Sequence, residues 1–216
     1  DGIKPMLIYP VFGILLTSLF MMAVNPIMGV INTAITGALN GLSGTSIVLL
    51  GIICAGMQAT DMGGPINKAA YVFGTAALAE QTVQGNMIMA AVMAGGMVPP
   101  LVIALSTTFF KNRWTEADRK AGLVNYIMGL SFITEGAIPF AAADPLRVLP
   151  ACILGSATAG GLSMLFGCAS PAPHGGAWVI AVITNPVQYL LALAIGAVVG
   201  CLVLSFLKKP LDKTAE

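Results

Sequence analysis

Charge is what this sequence has least of. Only 9% of its 216 residues are Asp, Glu, Lys or Arg, against roughly a quarter in an average soluble domain. Ten basic and nine acidic residues leave a net charge of +1. So few charges cannot dress the surface of a soluble core of this size. No basic stripe of the kind that holds nucleic acid is present either. A cytosolic enzyme, a disordered tail and a nucleic-acid binder are excluded on these grounds. Histidine occurs once, at His174. The four cysteines, Cys54, Cys152, Cys168 and Cys201, each sit in an apolar stretch, and no pair has CxxC spacing. They read as small core hydrophobes, so no metal site, cofactor or disulfide framework is expected. No Gly-rich phosphate loop ends in Lys-Ser or Lys-Thr, which excludes ATP-driven transport by this chain.

What is abundant is apolar. Hydrophobic residues make up 57% of the chain and the mean hydropathy is +0.90. The fold class that follows is an all-α integral membrane protein, a multi-span helical bundle in a lipid bilayer. Met6 to Ile31, Asn86 to Phe110, Val148 to Cys168 and Ala177 to Leu207 are apolar runs of the length a crossing needs. Asn25-Pro26 predicts a kink or early exit near the end of the first. Gly95-Gly96 and Pro99-Pro100 predict an interruption of the second, and Asn185-Pro186 a break in the last. Thr33 to Thr45 is small and polar and reads as a loop. The chain opens on Asp1 with no signal peptide, as a piece of a longer polypeptide would.

Basic residues set orientation. The loop Lys111–Lys120 carries four of them, and the tail Lys208–Lys213 three more. Both are expected on the cytoplasmic side, which requires an even number of crossings between them. Ala121 to Ala143 would make that number odd unless it enters and leaves on one side. Its Gly129, Gly136 and Pro139 favour a re-entrant hairpin. Two short apolar runs flanking Asp61–Lys68 predict a second discontinuous element. Interrupted helices are tolerated at membrane depth only where protein or a water-filled cavity covers them, and they point to transport sites.

An ionisable side chain in such a segment needs a partner or a cavity. Glu135 stands alone between Ser131-Phe132-Ile133-Thr134 and Gly136-Ala137-Ile138-Pro139. Its carboxylate suits a sugar hydroxyl, and suits removal of that hydroxyl's proton in phosphoryl transfer. Asp61 and Asn67 are candidate sugar ligands, with Lys68 as a salt-bridge partner of Asp61 across Gly63-Gly64-Pro65. His174, in the rigid turn Pro171–Gly176, is a candidate for the same site. Asp144 and Arg147 read as a local structural pair at a span boundary. Glu80, Gln81, Thr82 and Gln84 read as an interfacial cluster. Met87, Met89, Met93 and Met97 read as adaptable packing rather than a metal path.

Three stretches occur in order: Asp61-Met62-Gly63-Gly64-Pro65-Ile66-Asn67-Lys68-Ala69-Ala70, Phe132-Ile133-Thr134-Glu135-Gly136-Ala137-Ile138-Pro139-Phe140-Ala141-Ala142-Ala143-Asp144-Pro145, and Pro173-His174-Gly175-Gly176. They resemble the enzyme IIC membrane component of the fructose-type bacterial phosphoenolpyruvate-dependent sugar phosphotransferase system. The resemblance covers nearly the whole chain. It implies an inner-membrane permease that binds fructose or a related sugar and moves it across the bilayer. A phosphocysteine on a partner IIB domain, charged through IIA, then phosphorylates the sugar, so the chain would serve an enzyme only as part of the enzyme II complex. Glu135 matches the glutamate of the family's Ile-Thr-Glu hairpin. The family often has Gly where this chain has Phe132. The resemblance further implies a homodimer. It also implies that residues 1–216 are the C-terminal, substrate-binding portion of a IIC domain whose N-terminal helices lie outside this chain.

Two other classes fit the residues alone. An ion- or proton-coupled secondary sugar transporter could use Asp61 and Glu135 for coupling. A membrane scaffold without transport would have no need of either.

Overall fold

The computed structural model describes residues 4, 8–43 and 46–211, and among them the protein is helical with no named strand. The chain divides into two units, residues 1–38 and 39–216. Helix α1, Tyr9–Ser43, contains the span Tyr9–Ile27 and carries Pro26 inside it. Its large apolar side chains, among them Phe12, Leu16 and Phe20, are exposed, as a lipid-facing helix requires. The loop expected over Thr33–Thr45 is not formed: the helix continues to Ser43, while residues 44 and 45 lie outside those described. Nothing between Ile27 and Ser43 breaks the i→i−4 ladder, and Thr33 turns its hydroxyl onto the Gly29 carbonyl at 2.8 Å instead of opening the chain.

The second unit is built around α4, Val83–Phe109, which is buried along most of its length. With α7, Pro145–Leu165, and α8, Pro186–Leu207, it supplies three further helices long and apolar enough to cross a membrane. Gly155, Gly196 and Gly200 let α7 and α8 approach backbone to backbone: a Cβ on Gly196 would lie 2.6 Å from the Gly155 carbonyl oxygen. The pairing gives directions. Val102 meets Gly200 and Ser106 meets Ser205, so α4 and α8 run parallel; Ala159 meets Gly196 and Ala151 meets Gly200, so α7 runs against them.

The expected interruption of α4 is a correction. The helix runs straight through Gly95-Gly96 and Pro99-Pro100. Pro99 and Pro100 have no N–H to give the carbonyls of Gly95 and Gly96, four residues back. Those two oxygens instead accept hydroxyl bonds, Ser156 Oγ to Gly95 O at 2.7 Å and Thr134 Oγ1 to Gly96 O at 2.8 Å. The helix survives because two other elements satisfy what the prolines leave open.

Two pairs of short helices complete the unit. Helix α2, Ile47–Thr60, and α3, Pro65–Ala79, span about 21–23 Å each at 1.5 Å per residue, too short for a hydrocarbon core of about 30 Å. Gly51 packs on Gly160 and Met164 of α7, and Gly56 on Ala157 and Ile153, so α2 descends from the end where α7 finishes. Gly74 packs on Met89 and Val92, and Ala77 meets Gly85, so α3 returns to that same end. The second pair comes from the opposite end. Helix α5, Glu116–Leu130, opens with a capping box between Thr115 and Asp118 and packs from Thr107 down to Met97 of α4. It turns at Ser131–Ile133, passes through a 3-10 turn at Thr134–Ala137 and returns by the short α6, Ile138–Ala143. Trp114 before α5 and Phe140 in α6 stack edge-to-face at 5.7 Å between centroids, so the hairpin enters and leaves on one side. Two half-crossings thus meet tip to tip inside the bundle.

Candidate functional site

Both tips carry a non-glycine residue in the left-handed region, Met62 at φ 45° and Phe132 at φ 60°. Both side chains are buried. Such conformations cost of order 1–3 kcal/mol and persist where surrounding packing over-determines them, commonly at functional sites.

At the first tip, Asp61 is consumed by the start of α3. Its Oδ2 accepts the Ile66 N–H at 2.7 Å and its Oδ1 the Asn67 N–H at 2.9 Å. A carboxylate on free amides at a positive helix terminus is favourable placement. Asn67 is buried and exchanges three bonds with Gln58 of α2: Asn67 Nδ2 donates to Gln58 O at 2.8 Å and to Gln58 Oε1 at 2.9 Å, and Gln58 Nε2 donates to Asn67 O at 3.1 Å. This amide clasp fixes α2 to α3 across the break. The expected Asp61–Lys68 bridge does not form, because Asp61 faces the amides. Lys68 instead reaches the other tip, with its Nζ 3.5 Å from Glu135 Oε1.

At the second tip, Thr134 is pinned to α4 through Gly96, and Glu135 follows on the 3-10 turn. Gly63 makes this approach feasible. It sits at φ 113°, and a Cβ there would lie 2.8 Å from Glu135 Oε1. The turn holding His174 closes over the same place. Gly176 sits at φ 58°, and a Cβ there would collide with the Leu130 carbonyl oxygen, so only glycine seats this turn on the hairpin. Trp178 Nε1 donates to Ser131 Oγ at 2.9 Å and secures it. The His174 ring lies 4.7 Å from the Phe132 ring at 33°, with Tyr71 at 6.3 Å. His174 Nδ1 accepts the Gly175 N–H at 2.8 Å, which leaves Nε2 as the nitrogen for a ligand.

These groups enclose a cavity of about 270 Å³ lined by Gln58, Asn67, Lys68, Tyr71, Phe132, Thr134, Glu135 and His174. The size is near the lower end of the roughly 300–1,000 Å³ of small-molecule sites and suits one small polar ligand. Glu135 offers an acceptor, Lys68 a donor, and the aromatic rings an apolar wall. The Lys68 and Glu135 side chains are 59% and 47% exposed. A pair so open to the cavity leaves both partners accessible, so a ligand's hydroxyls can compete for either.

Of the sequence candidates, Asn67, Lys68, Glu135 and His174 come together, and Asp61 stands just behind them outside the lining. Gln58, Tyr71, Phe132 and Thr134 join them without having been singled out. Gln58 had a signal: it is the one amide in the apolar run Ile47–Ala59. Asp144 and Arg147 lie elsewhere, with Arg147 Nη1 3.0 Å from Asp144 Oδ2. Lys208 joins them at 3.4 Å and places its Nζ 4.4 Å from the centroid of the Trp114 ring. This cluster borders a larger cavity of about 510 Å³ that also reaches Glu135.

A family model described as "Phosphotransferase system, EIIC" matches residues 3–155. The chain is 52% identical over 215 residues to the PTS system fructose-specific EIIABC component of Bacillus subtilis (strain 168), a match covering 99% of this chain and 33% of that protein. It is 50% identical over 216 residues to the fructose permease IIC component of Bacillus amyloliquefaciens, covering 99% of this chain and 69% of that one. It is 44% identical over 215 residues to the PTS system fructose-specific EIIB'BC component of Escherichia coli (strain K12), covering 97% and 38%. The chain thus spans about a third of the length of the multi-component relatives. No solved structure matches it.

Proposed function

The chain belongs to the EIIC family of the phosphotransferase system, and from that premise we propose that it is the C-terminal, substrate-binding portion of a bacterial inner-membrane permease for fructose or a related sugar. The observation that carries the reading is the position of Glu135. It stands where two broken helix pairs from opposite ends meet, half open to a cavity of monosaccharide scale. Glu135 accepts a hydrogen bond from a sugar hydroxyl, Lys68 and His174 Nε2 offer donors, and Tyr71 and Phe132 supply apolar wall for the sugar's C–H surface. The buried Gln58–Asn67 clasp presents the edge of α3, and Asp61 acts by positioning it.

Phosphoryl transfer follows on the bound sugar. A phosphocysteine of a IIB partner, itself charged through IIA, supplies the group. Its S–P bond breaks as an O–P bond to the sugar forms; the hydroxyl proton goes to the Glu135 carboxylate and the cysteine leaves as thiolate. The phosphocysteine belongs to the partner, since all four cysteines of this chain are buried. The segments 111–120 and 208–213 lie at the cytoplasmic face, residues 212 and 213 falling outside those described. Their common location supports this, because Leu211 N donates to Asn112 O at 2.9 Å and Arg113 Nη1 donates to Lys208 O. The permease works as a homodimer.

Glu135→Gln tests the assignment. Loss of a charge-assisted hydrogen bond of about 1.5–3 kcal/mol weakens fructose binding by roughly one to two decades, with membrane insertion retained. Wild-type affinity in a well-folded Glu135→Gln protein would sink the proposal. Accumulation of free sugar on an ion gradient, without phosphoenolpyruvate, would favour a coupled secondary transporter instead.

A further inference from the structure

Glu135 is the one described residue that lines both cavities. The smaller is the proposed sugar site. The larger starts at Glu135 and Gly136, passes between α5 and α6, and reaches Trp114, Asp144, Arg147 and Lys208 at the end of the bundle where α4 and α8 finish. We propose that this larger cavity is the passage by which the phosphorylated side chain of the donor component reaches the sugar, and that Lys208 receives the phosphoryl oxygens at its mouth. The proposal rests on the sugar-site reading above and names the partner's route to that site.

The charges support this occupant. Asp144 holds two cations, Arg147 at 3.0 Å and Lys208 at 3.4 Å, so the trio carries one positive charge in excess. Lys208 is held from three directions, by Asp144, by the Trp114 face and through its own carbonyl by Arg113. It is a single ammonium on a flexible stem, able to leave Asp144 for a phosphoryl dianion. The hydrogen bonds between segments 111–113 and 208–211 bring Lys111, Arg113, Lys208 and Lys209 to this end, and Arg119 and Lys120 follow in the first turns of α5. Of the three acids there, Asp144 is matched by Arg147 and Lys208, Glu116 is paired with Lys120 at 2.6 Å and Asp118 is occupied by the α5 capping box. The mouth is therefore basic, which draws in an anionic partner. Inside, Glu135 is matched by Lys68, so the passage opposes a phosphoryl group little.

The test uses the intact parent protein in inside-out vesicles, with phosphorylated IIB as donor. Ala143→Cys places a thiol on the passage wall, while the native cysteines are all buried. Coupling a bulky methanethiosulfonate to this introduced thiol should lower fructose phosphorylation about tenfold or more while the dissociation constant for fructose stays within about twofold. Lys208→Met should raise the half-saturating concentration of phospho-IIB several-fold with sugar affinity unchanged, and Lys208→Arg should restore most of the loss. Undiminished phosphorylation after coupling, or equal loss of sugar binding and phosphorylation, would overturn the passage. So would a Lys208→Met protein whose dependence on phospho-IIB is unaltered. If the untreated protein bound no fructose, or bound it as well with Gln at 135, the underlying sugar site would fail, which the other readouts distinguish.

Discussion

Thr134 and Pro100 should be thermodynamically coupled, although they belong to different elements and make no covalent or ionic contact. Pro100 deprives the Gly96 carbonyl of its helical donor, and Thr134 Oγ1 supplies a bond of 2.8 Å in its place. Thr134→Val keeps the shape and removes the donor. The Gly96 oxygen is then buried without a partner, a loss of about 1–3 kcal/mol. Pro100→Ala returns an N–H to the i→i−4 ladder, so in that background the same Thr134→Val change should cost less than about 1 kcal/mol. The double mutant should therefore exceed the additive expectation by about 1–2 kcal/mol. Ser156 Oγ and Gly95 O form the matching pair for Pro99 at 2.7 Å. Combining Thr134→Val with Pro99→Ala pairs a donor with the wrong carbonyl and should show no such excess. Denaturant unfolding in detergent micelles reads all of these stabilities. Equal coupling in matched and mismatched pairs, or strict additivity throughout, would refute the claim that the hairpin tip replaces a proline-deleted hydrogen bond.

Three further outcomes are expected. At Phe132, held at φ 60°, glycine should be more stable than alanine by up to about 1 kcal/mol, because relief of a left-handed strain of about 1–2 kcal/mol exceeds glycine's extra unfolded-state entropy of about 0.4–1 kcal/mol; an alanine variant of equal or greater melting temperature would argue against the left-handed tip. Asp61→Ala should lower stability by about 1 kcal/mol through the lost cap on Ile66 and Asn67, and should weaken sugar binding less than Glu135→Gln does; the reverse order of affinities would make Asp61 a direct ligand. Cysteines introduced singly at Asn112 and Pro210 should be labelled together and only from the cytoplasmic face, since these segments are bonded to one another; labelling of either from outside intact cells would invert the topology.

The parts of this fold legible in the sequence are those set by local chemistry. A lone carboxylate among Gly and Pro marked the tip at Glu135, and the Gly-Gly-Pro run marked the break before α3. The spans declared themselves by length and hydropathy. The parts that stayed hidden depend on partners distant along the chain. Pro99-Pro100 reads locally as an interruption, and only the hydroxyls of Thr134 and Ser156, 38 and 61 positions away from the carbonyls they meet, keep the helix intact. Asp61 and Lys68 read as a pair by proximity, but the α3 amides hold Asp61, and Lys68 was left for Glu135. The Phe132 side chain hid its left-handed backbone, because a large residue is the last one expected there, and only the family's frequent Gly at this position pointed to it.

That exception bears on how the site is held. A glycine at 132 would fit the backbone without strain, yet the ring is stacked on His174, and α4 makes room for it at Gly96, where a Cβ would collide with Phe132 Cε2. The hairpin is thus fastened to α4 twice over, by the Thr134 hydroxyl and by the ring fitted against Gly96. The His174 turn is fastened to the hairpin by the ring contact, by the Gly176 approach and by Trp178 to Ser131. By contrast, the two tips face each other through the Lys68–Glu135 pair, which is open to the smaller cavity. Strong local anchoring beside a weak junction concentrates any opening of the smaller cavity at that junction, where a bound hydroxyl can take the place of the lysine without disturbing the anchors.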